Sequence, residues 1–425
     1  MWLSQSAAVA DKKYHAAAFP VAEENESWRR TDPEDFDPKR FEKQNELVRL
    51  SKEQLRVLFL EEHPFAESMV SDHLVYAWDG RSMVSIGDEA ADPKEVEIFL
   101  GTEGGEVFSS DFLRSHFEDS REFFVSELFS EFQKSRPEAL VYAKVLKGQQ
   151  VEKVLQFYFP NQTSQGVITV LLELGERASL SYSEYCSVQA SGAQILSRYR
   201  LGSGARLICS NQLTSKQERC KVLQHVDISL ADRADLNATF SWSGIKLLRS
   251  VVSTQLEGEG AHCSVQGIAV GTGRQHLDLE PIQRHIAPRT SGTMLFKTVL
   301  ADQARAIFQG DITVERTAQK SDAIQTNKNL LLSPKARMDS LPKLNILPDD
   351  VKCKHGAATG QLDPMQIYYL MARGFDRAQA TRLILRGFFA ELIYKIPEGV
   401  LRDSLEAHLL SLSEEFVGHL KDQSQ

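Results

Sequence analysis

The order of apolar and polar residues divides the chain into three textures. As far as about residue 140 the pattern is mixed and mostly helical. Ser51 opens an amphipathic stretch in the position of an N-cap. HLVYAWDGRSMVSI (73–86) carries apolar runs on either side of Asp79-Gly80, which predicts a small hairpin. Phe117, Phe124, Leu128 and Phe132 recur at helical spacing and predict a helix that Pro137 stops. A stripe of this kind reads as core.

Between about 140 and 350 the period changes to two. Ala178, Leu180 and Tyr182 alternate with Ser179, Ser181 and Ser183, and Leu236, Ala238 and Phe240 alternate with Asn237, Thr239 and Ser241. That is the strand signal. Turn-like clusters ending in alanine stand at 175–178, 202–205, 231–234 and 258–261, with the alanines 27, 29 and 27 residues apart. A further cluster, 301–304, falls out of step. A strand–turn unit repeated at this interval fits a stacked β-solenoid, because one coil cannot bury its inner face alone. An antiparallel sandwich of many short strands is the alternative.

The last 65 residues are helical. Asp363, Pro364 and Gln366 are placed as N-cap, first helical position and capping-box partner. Met365, Tyr368, Tyr369 and Ala372 share one face, and Gly374 ends the helix. Asp376 and Gln379 cap a second helix bearing Ile384, Leu385, Phe388, Phe389 and Leu392. After Pro397, Leu401, Leu405, Leu409, Leu412 and Phe416 mark a third. The bottom-up reading is a three-helix cluster.

Composition narrows the function classes. A length of 425 residues implies two or three domains or an elongated repeat. Hydrophobic residues make 42%, which is globular, and a net charge of −9 argues against nucleic acid as a partner. No run approaches the ~20 apolar residues of a membrane helix, and the N-terminus does not read as a secretory signal. The five cysteines, at 186, 209, 220, 263 and 353, form no C-x-x-C pair and no disulfide framework. The expectation is a reduced, cytoplasmic protein. There is no P-loop, so ATP hydrolysis in the P-loop manner is not expected, and no H-E-x-x-H, G-x-S-x-G or kinase signature is present.

One constellation stands out, Asp349-Asp350-Val351-Lys352-Cys353-Lys354-His355-Gly356. On an extended segment Cys353 and His355 point the same way, and a thiolate beside an imidazole can bind iron or zinc. Two ligands do not close a site, so the others would come from another chain, sulfide or solvent. The alternative is a buried cysteine and a hydrogen-bonded histidine. His262 and Cys263 are neighbours and face opposite ways on a strand; His276 and His285 are isolated. These read as surface or hydrogen-bonded residues.

The stretch DDVKCKHGAATGQLDPMQIYYLMARGFDRAQATRLILRGFFAEL (349–392) resembles the SufB/SufD family of iron–sulfur cluster assembly proteins. QTNKNLLLSPKARMDSLPKLNI (325–346) is similar to the family segment before that motif. FQGDITV (308–314) resembles its F-x-G-x-I-x-V strand, LEGEGAHCSVQGIAV (256–270) its glycine-rich strand, and WRRTDP (28–33) its early tryptophan motif. The likeness is strong from about 165 to 395 and weaker over the N-terminal third. C-K-H-G-A-A-T-G is SufD-like; SufB-type sequences have H-E-A-T-T-S-K-I there.

The resemblance implies a mainly β fold with helical ends: a right-handed parallel β-helix (141–352) between an N-terminal mostly helical domain (1–140) and a C-terminal helical, SufC-binding domain (353–425). It implies a non-catalytic scaffold subunit that pairs with SufB, binds the ATPase SufC, and receives sulfur indirectly from a cysteine desulfurase system. His355 corresponds to the family histidine at the SufB interface, opposite a SufB cysteine, with Cys353 assisting. Metal contact by His355 and Cys353 would be transient and completed by the partner. The SufC contact falls around Met371, Arg373, Gly374 and Phe375. No cofactor is held stably by the chain alone; a nascent iron–sulfur cluster belongs to the complex, and a flavin there is compatible with the family. The resemblance also admits a homodimer of the isolated chain. The other readings are a SufB-like scaffold that holds the cluster itself and a β-helix carbohydrate-active enzyme.

Overall fold

The structure is a computed structural model. It describes residues 2–21, 28–38, 49–62, 69–71, 73–79, 82–92, 94–100, 111–118, 126–136, 140–160, 166–188, 191–217, 219–396, 398, 401–403, 405–407 and 409–411.

The period-two segments form two walls. One sheet has ten strands and runs from Met83–Ser85 through Leu74–Trp78 to Lys352–Gln361. The other has eleven and runs from Val96–Leu100 to the short strands Arg337–Ser340 and Lys343–Ile346. From Leu140–Val145 onward the chain alternates between walls, and every strand pairs in parallel with the one a coil away. This is a parallel β-solenoid, and the antiparallel sandwich is excluded. Among the described residues, antiparallel strands occur only where the hairpin strand Met83–Ser85 and the strand Val96–Leu100 close the first coils.

The repeat seen in the alanines is a corner. Gly148, Arg177, Gly204, Arg233, Gly260, Arg289 and Lys320 all have positive φ, at intervals of 27 to 31 residues. Each as far as Arg289 donates its backbone N–H to the carbonyl one residue before the next of the series, as Arg177 to Ser203 and Gly204 to Asp232, both within 2.9 Å, and Lys320 donates to Asp350. The cluster 301–304 is out of step because it turns the opposite corner, between Ser291–Leu300 and Arg305–Phe308. The step that follows Gly260 is made by Arg289. Side chains alternate at each strand. Leu236, Ala238, Phe240 and Trp242 point into one continuous apolar core, while Asn237 is half-exposed.

Helices Trp2–Ala16 and Glu127–Lys134 and the segment around Trp28 cover the eleven-stranded wall, while helix Lys52–Glu62 packs on the ten-stranded one. Tyr14 of helix Trp2–Ala16 meets Phe132 of helix Glu127–Lys134, ring centroids 5.1 Å apart. The stripe Phe117 to Phe132 is not one helix. Asp111–Glu118 and Glu127–Lys134 are separate, because Ser126 is extended and starts the second. Leu128 and Phe132 are buried as expected; Phe124 and Pro137 lie outside the described residues. Ser51 caps helix Lys52–Glu62 in a full box, accepting from the Gln54 N–H while the Gln54 side chain accepts from Ser51. The hairpin pairs Leu74–Trp78 with Met83–Ser85 as predicted; Gly80 lies outside the described residues. The tryptophan motif is a clamp. Buried Trp28 stacks on the Arg249 guanidinium, 4.6 Å from the ring centre. Arg249 also pairs with Asp278 at 2.8 Å and Glu280 at 2.5 Å, and Thr31 donates to Asp278. Burying these charges is tolerable because each is paired. No described helix is long and apolar enough to cross a membrane.

The close stacking of corners makes one glycine irreplaceable. A Cβ at Gly258 would lie 1.9 Å from the Asp232 backbone nitrogen of the neighbouring coil. Gly258→Ala is expected to cost about 3 kcal/mol or more, at the top of the overpacking range. Arg233→Ala, on the exposed corner beside it, is expected to cost less than about 1 kcal/mol. Urea denaturation of both variants checks the contrast.

Candidate functional site

The candidate site lies where the solenoid ends. Strand Lys352–Gln361 pairs on one side with Asp322–Leu331 and has no strand on its other side among the described residues. It is exposed along its length except at Cys353, which is half-buried. Register places Cys353 beside Ala323 and His355 beside Gln325. Ala323 belongs to the interior core and Gln325 is buried, so Cys353 and His355 lie on the solenoid's inner face. They therefore share a face as the spacing predicts, about 7 Å apart along the strand. Cys353 packs partly on the core, and burial first, then the Asp322 charge, push its thiol above the ordinary value. It rests as a thiol. His355 is exposed. Among the described residues no group of three or more His, Cys, Asp or Glu side chains is placed to hold a metal.

The interior changes character as it approaches this end. Ser291–Leu300 points Met294 and Phe296 inward, and both are in the apolar core. One coil on, the same positions are Gln325 and Asn327, followed by Asn329. Asn329 donates to Asn327 at 2.6 Å, and Ser340 donates to Asn327 at 2.9 Å. These amides were not singled out in the sequence. Their signal was available: Gln325 and Asn327 stand at the alternate positions where the preceding strand of this wall carries Met294 and Phe296.

Beyond the strand, helix Pro364–Met371 begins at Asp363, whose carboxylate accepts from the Met365 N–H. The acceptor reaches Met365 rather than Gln366, so the capping box with Gln366 is not formed. Ile367 is the buried residue of this helix. Met365, Tyr368, Tyr369 and Ala372 do share a face, but that face is surface and not core: Tyr368 is 63% and Tyr369 58% exposed. Arg373 lies over the Tyr369 ring at 4.5 Å, Met371 and Phe375 are exposed, and Gly374 reverses the chain with φ 97°. Met371, Arg373, Gly374 and Phe375 thus sit together at one exposed helix junction, on a different element from Cys353 and His355.

Helix Arg377–Ile393 fixes that junction to the solenoid. Its Asp376–Gln379 capping box forms as the sequence predicts. Leu385, Phe389 and Leu392 pack on Ile268, Val270, Leu295 and Val299 of the ten-stranded wall. Leu401, Leu405 and Leu409 are buried; Pro397, Leu412 and Phe416 lie outside the described residues. Buried Lys297 donates to the Phe388 carbonyl and pairs with Glu391 at 2.7 Å, and Lys328 reaches the same carboxylate at 2.8 Å. Among the other histidines, His262 is exposed on Asp235 while neighbouring Cys263 is buried, as strand alternation requires. His285 is buried and bonded to Thr290 at 2.8 Å.

Comparison with known proteins adds identity to this geometry. Residues 158–388 match the family model described as SUF system FeS cluster assembly, SufBD core domain. The iron-sulfur cluster assembly protein SufD of Escherichia coli is 29% identical over 301 residues, covering 67% of this chain and 69% of that protein. The protein of the same name from Bacillus subtilis is 38% identical over 149 residues, covering 35% of this chain and 34% of that protein.

The junction's anchorage has a predictable acid limit. Hydrogen bonds from Lys297, then from Lys328, hold the Glu391 carboxyl down to about 2 from its ordinary 4.5. A depressed carboxyl contributes stability above its unfolded pKa and loses it as pH falls through the folded one. Docking of 377–393 is therefore expected to be unchanged from neutral pH to about 4.5 and to weaken progressively toward about 2. Hydrogen exchange of that helix should show this loss in the native protein, and Glu391→Gln should remove this part of the pH dependence.

Proposed function

Because the chain belongs to the SufBD family and so has a part in iron–sulfur cluster assembly, we propose that it serves there as a non-catalytic scaffold subunit pairing with SufB and the ATPase SufC. One observation carries this reading. The chain presents an open strand edge bearing Cys353 and His355, and next to it in sequence an exposed aromatic helix junction, and neither completes a site by itself.

An unpaired strand edge is a template for strand addition. In this reading a SufB strand extends the ten-stranded wall and brings a SufB cysteine to the side chains of His355 and Cys353. The raised Cys353 thiol is an assisting group, and His355 is the principal one. The cluster is cargo, assembled at the interface from iron and from sulfur passed on by a cysteine desulfurase system. The chain alone holds no cluster. SufC docks on Met371, Arg373, Gly374 and Phe375, where large apolar side chains and a cation on a tyrosine ring make an anchor-rich surface. ATP-driven closure of two SufC copies moves the helix junctions and opens the paired edges. This is a two-state element biased by a ligand. The carbohydrate-active reading has no support in side-chain geometry. A solenoid fold by itself does not carry that function.

Co-expression with SufB and SufC, purification through a tag on this chain and native mass spectrometry test the partnership. The expected particle has one copy of this chain, one SufB and two SufC. Phe375→Asp should weaken SufC binding about 30-fold, as loss of an interface anchor does. His355→Ala should leave the particle intact and lower cluster yield at least about tenfold. Recovery of the tagged chain without SufC, or a cluster retained by the chain alone, would overturn the reading.

A further inference from the structure

Two glutamines inside the solenoid use the same packing device. Gln283 reaches from strand His276–His285 into a hollow left by a glycine: a Cβ at Gly292 would lie 2.5 Å from its Oε1. That amide is fully employed. Its Nε2 donates to Cys263 Sγ at 3.0 Å, and its Oε1 meets His285 Nε2 at 3.2 Å. His285 is thereby held at both ring nitrogens, by Gln283 and Thr290. Gln325 does likewise at Gly310, whose Cβ would lie 2.2 Å from its Nε2. The glycine of the F-x-G-x-I-x-V strand thus has a physical reason, which is room for this amide.

The difference lies in what Gln325 bonds to. It is 1% exposed, and among the described residues neither its Oε1 nor its Nε2 has a hydrogen-bond partner. A buried amide without partners is costly, so native chains supply one. Its surroundings leave few. Met294 lies one rung below and the Phe308 ring lines the Gly310 hollow. Asn327, two residues along, is engaged with Ser340, Asn329 and the Phe296 carbonyl. The rung above is His355, the direct register partner on the same face. Adjacent rungs are about 4.8 Å apart, within reach of an amide and an imidazole.

We propose that Gln325 is the positioning residue of His355. Its amide oxygen accepts one ring N–H when the exposed imidazole turns inward, and the other ring nitrogen then faces the open edge. This fixes tautomer and ring direction, as outer hydrogen bonds do for ligating histidines. The pairing is a property of this chain; only its purpose rests on the scaffold reading above.

The test uses the full chain with ¹⁵N-labelled histidine, at a pH above the imidazole range. In the native protein His355 should populate one tautomer over the other by about tenfold, the bias that one net hydrogen bond supplies. Gln325→Met should level that ratio, and Gly310→Ala should do the same by filling the amide's seat. Gln325→Asn, one methylene short, keeps the polarity and serves should the Met variant misfold. In the assembled complex Gln325→Met should lower cluster yield about tenfold, with no further loss in a His355→Ala background. An unchanged tautomer ratio in the folded Gln325 variants would overturn the proposal. If the ratio shifts while cluster yield ignores both Gln325 and His355, the positioning stands and the scaffold reading falls.

Discussion

In a parallel solenoid each coil is covered only by its neighbours. A strand inside the stack has both rows of backbone groups paired and its inner face buried by coils on either side. A terminal strand has half of each. The two ends of this molecule meet that constraint differently. At the first coils, Met83–Ser85 and Val96–Leu100 turn antiparallel and close both walls. At the last, Lys352–Gln361 follows the parallel register and nothing among the described residues pairs beyond it. Lys352 and Lys354 on the alternate face are the type of residue that discourages indiscriminate pairing at an edge. The site residues lie on the opposite, inward face of the same strand.

The corner ladder carries the same constraint through the stack. Residues in the left-handed region keep one carbonyl-to-amide step from coil to coil, and where the residue is Gly204 or Gly260 the stem of the arginine a coil away lies across it. Such a ladder leaves the walls free to vary in what they face. The eleven-stranded wall is sealed by the N-terminal layer through a buried ionic clamp at Arg249. The ten-stranded wall is gripped by helix Arg377–Ile393 through apolar packing around a single buried lysine. Burial lowers the pKa of Lys297, and the Glu391 carboxylate opposes that shift. Holding one helix this firmly lets the next, Pro364–Met371, stay almost bare.

The interior change from Met294 and Phe296 to Gln325 and Asn327 follows from the nearness of the open end. A lumen that stops at solvent gains less from apolar side chains, and amides there can bond to one another, as Asn329 and Asn327 do. Gln325 departs from this by having no side-chain hydrogen bond among the described residues. Gln283, with the same geometry and both bonds made, shows what such an amide does when its partner is present.

Much of the fold was legible in the residues themselves. Alternation is a local property, so Leu236, Ala238 and Phe240 declared a strand and its buried face before any neighbour was known. Caps are local too, and Asp376 with Gln379 announced its helix. The pairing of Cys353 with His355 on one face needed only their spacing. What local pattern could not contain is which surface each face meets. Tyr368 and Tyr369 share a helical face as surely as Leu385 and Phe389 do, yet only the second pair is covered, because coverage depends on where the wall ends. The cluster at 301–304 has the composition of the other turns, but only stacking assigns it to the opposite corner. The meeting of Gly310, Gln325 and His355 likewise exists only through stacking, since Gln325 and His355, 30 apart in sequence, become adjacent rungs while Gly310 faces the Gln325 amide from the other wall. Sequence determined each coil's conformation; tertiary structure decided its contacts, because burial and register belong to the stack and not to any one segment.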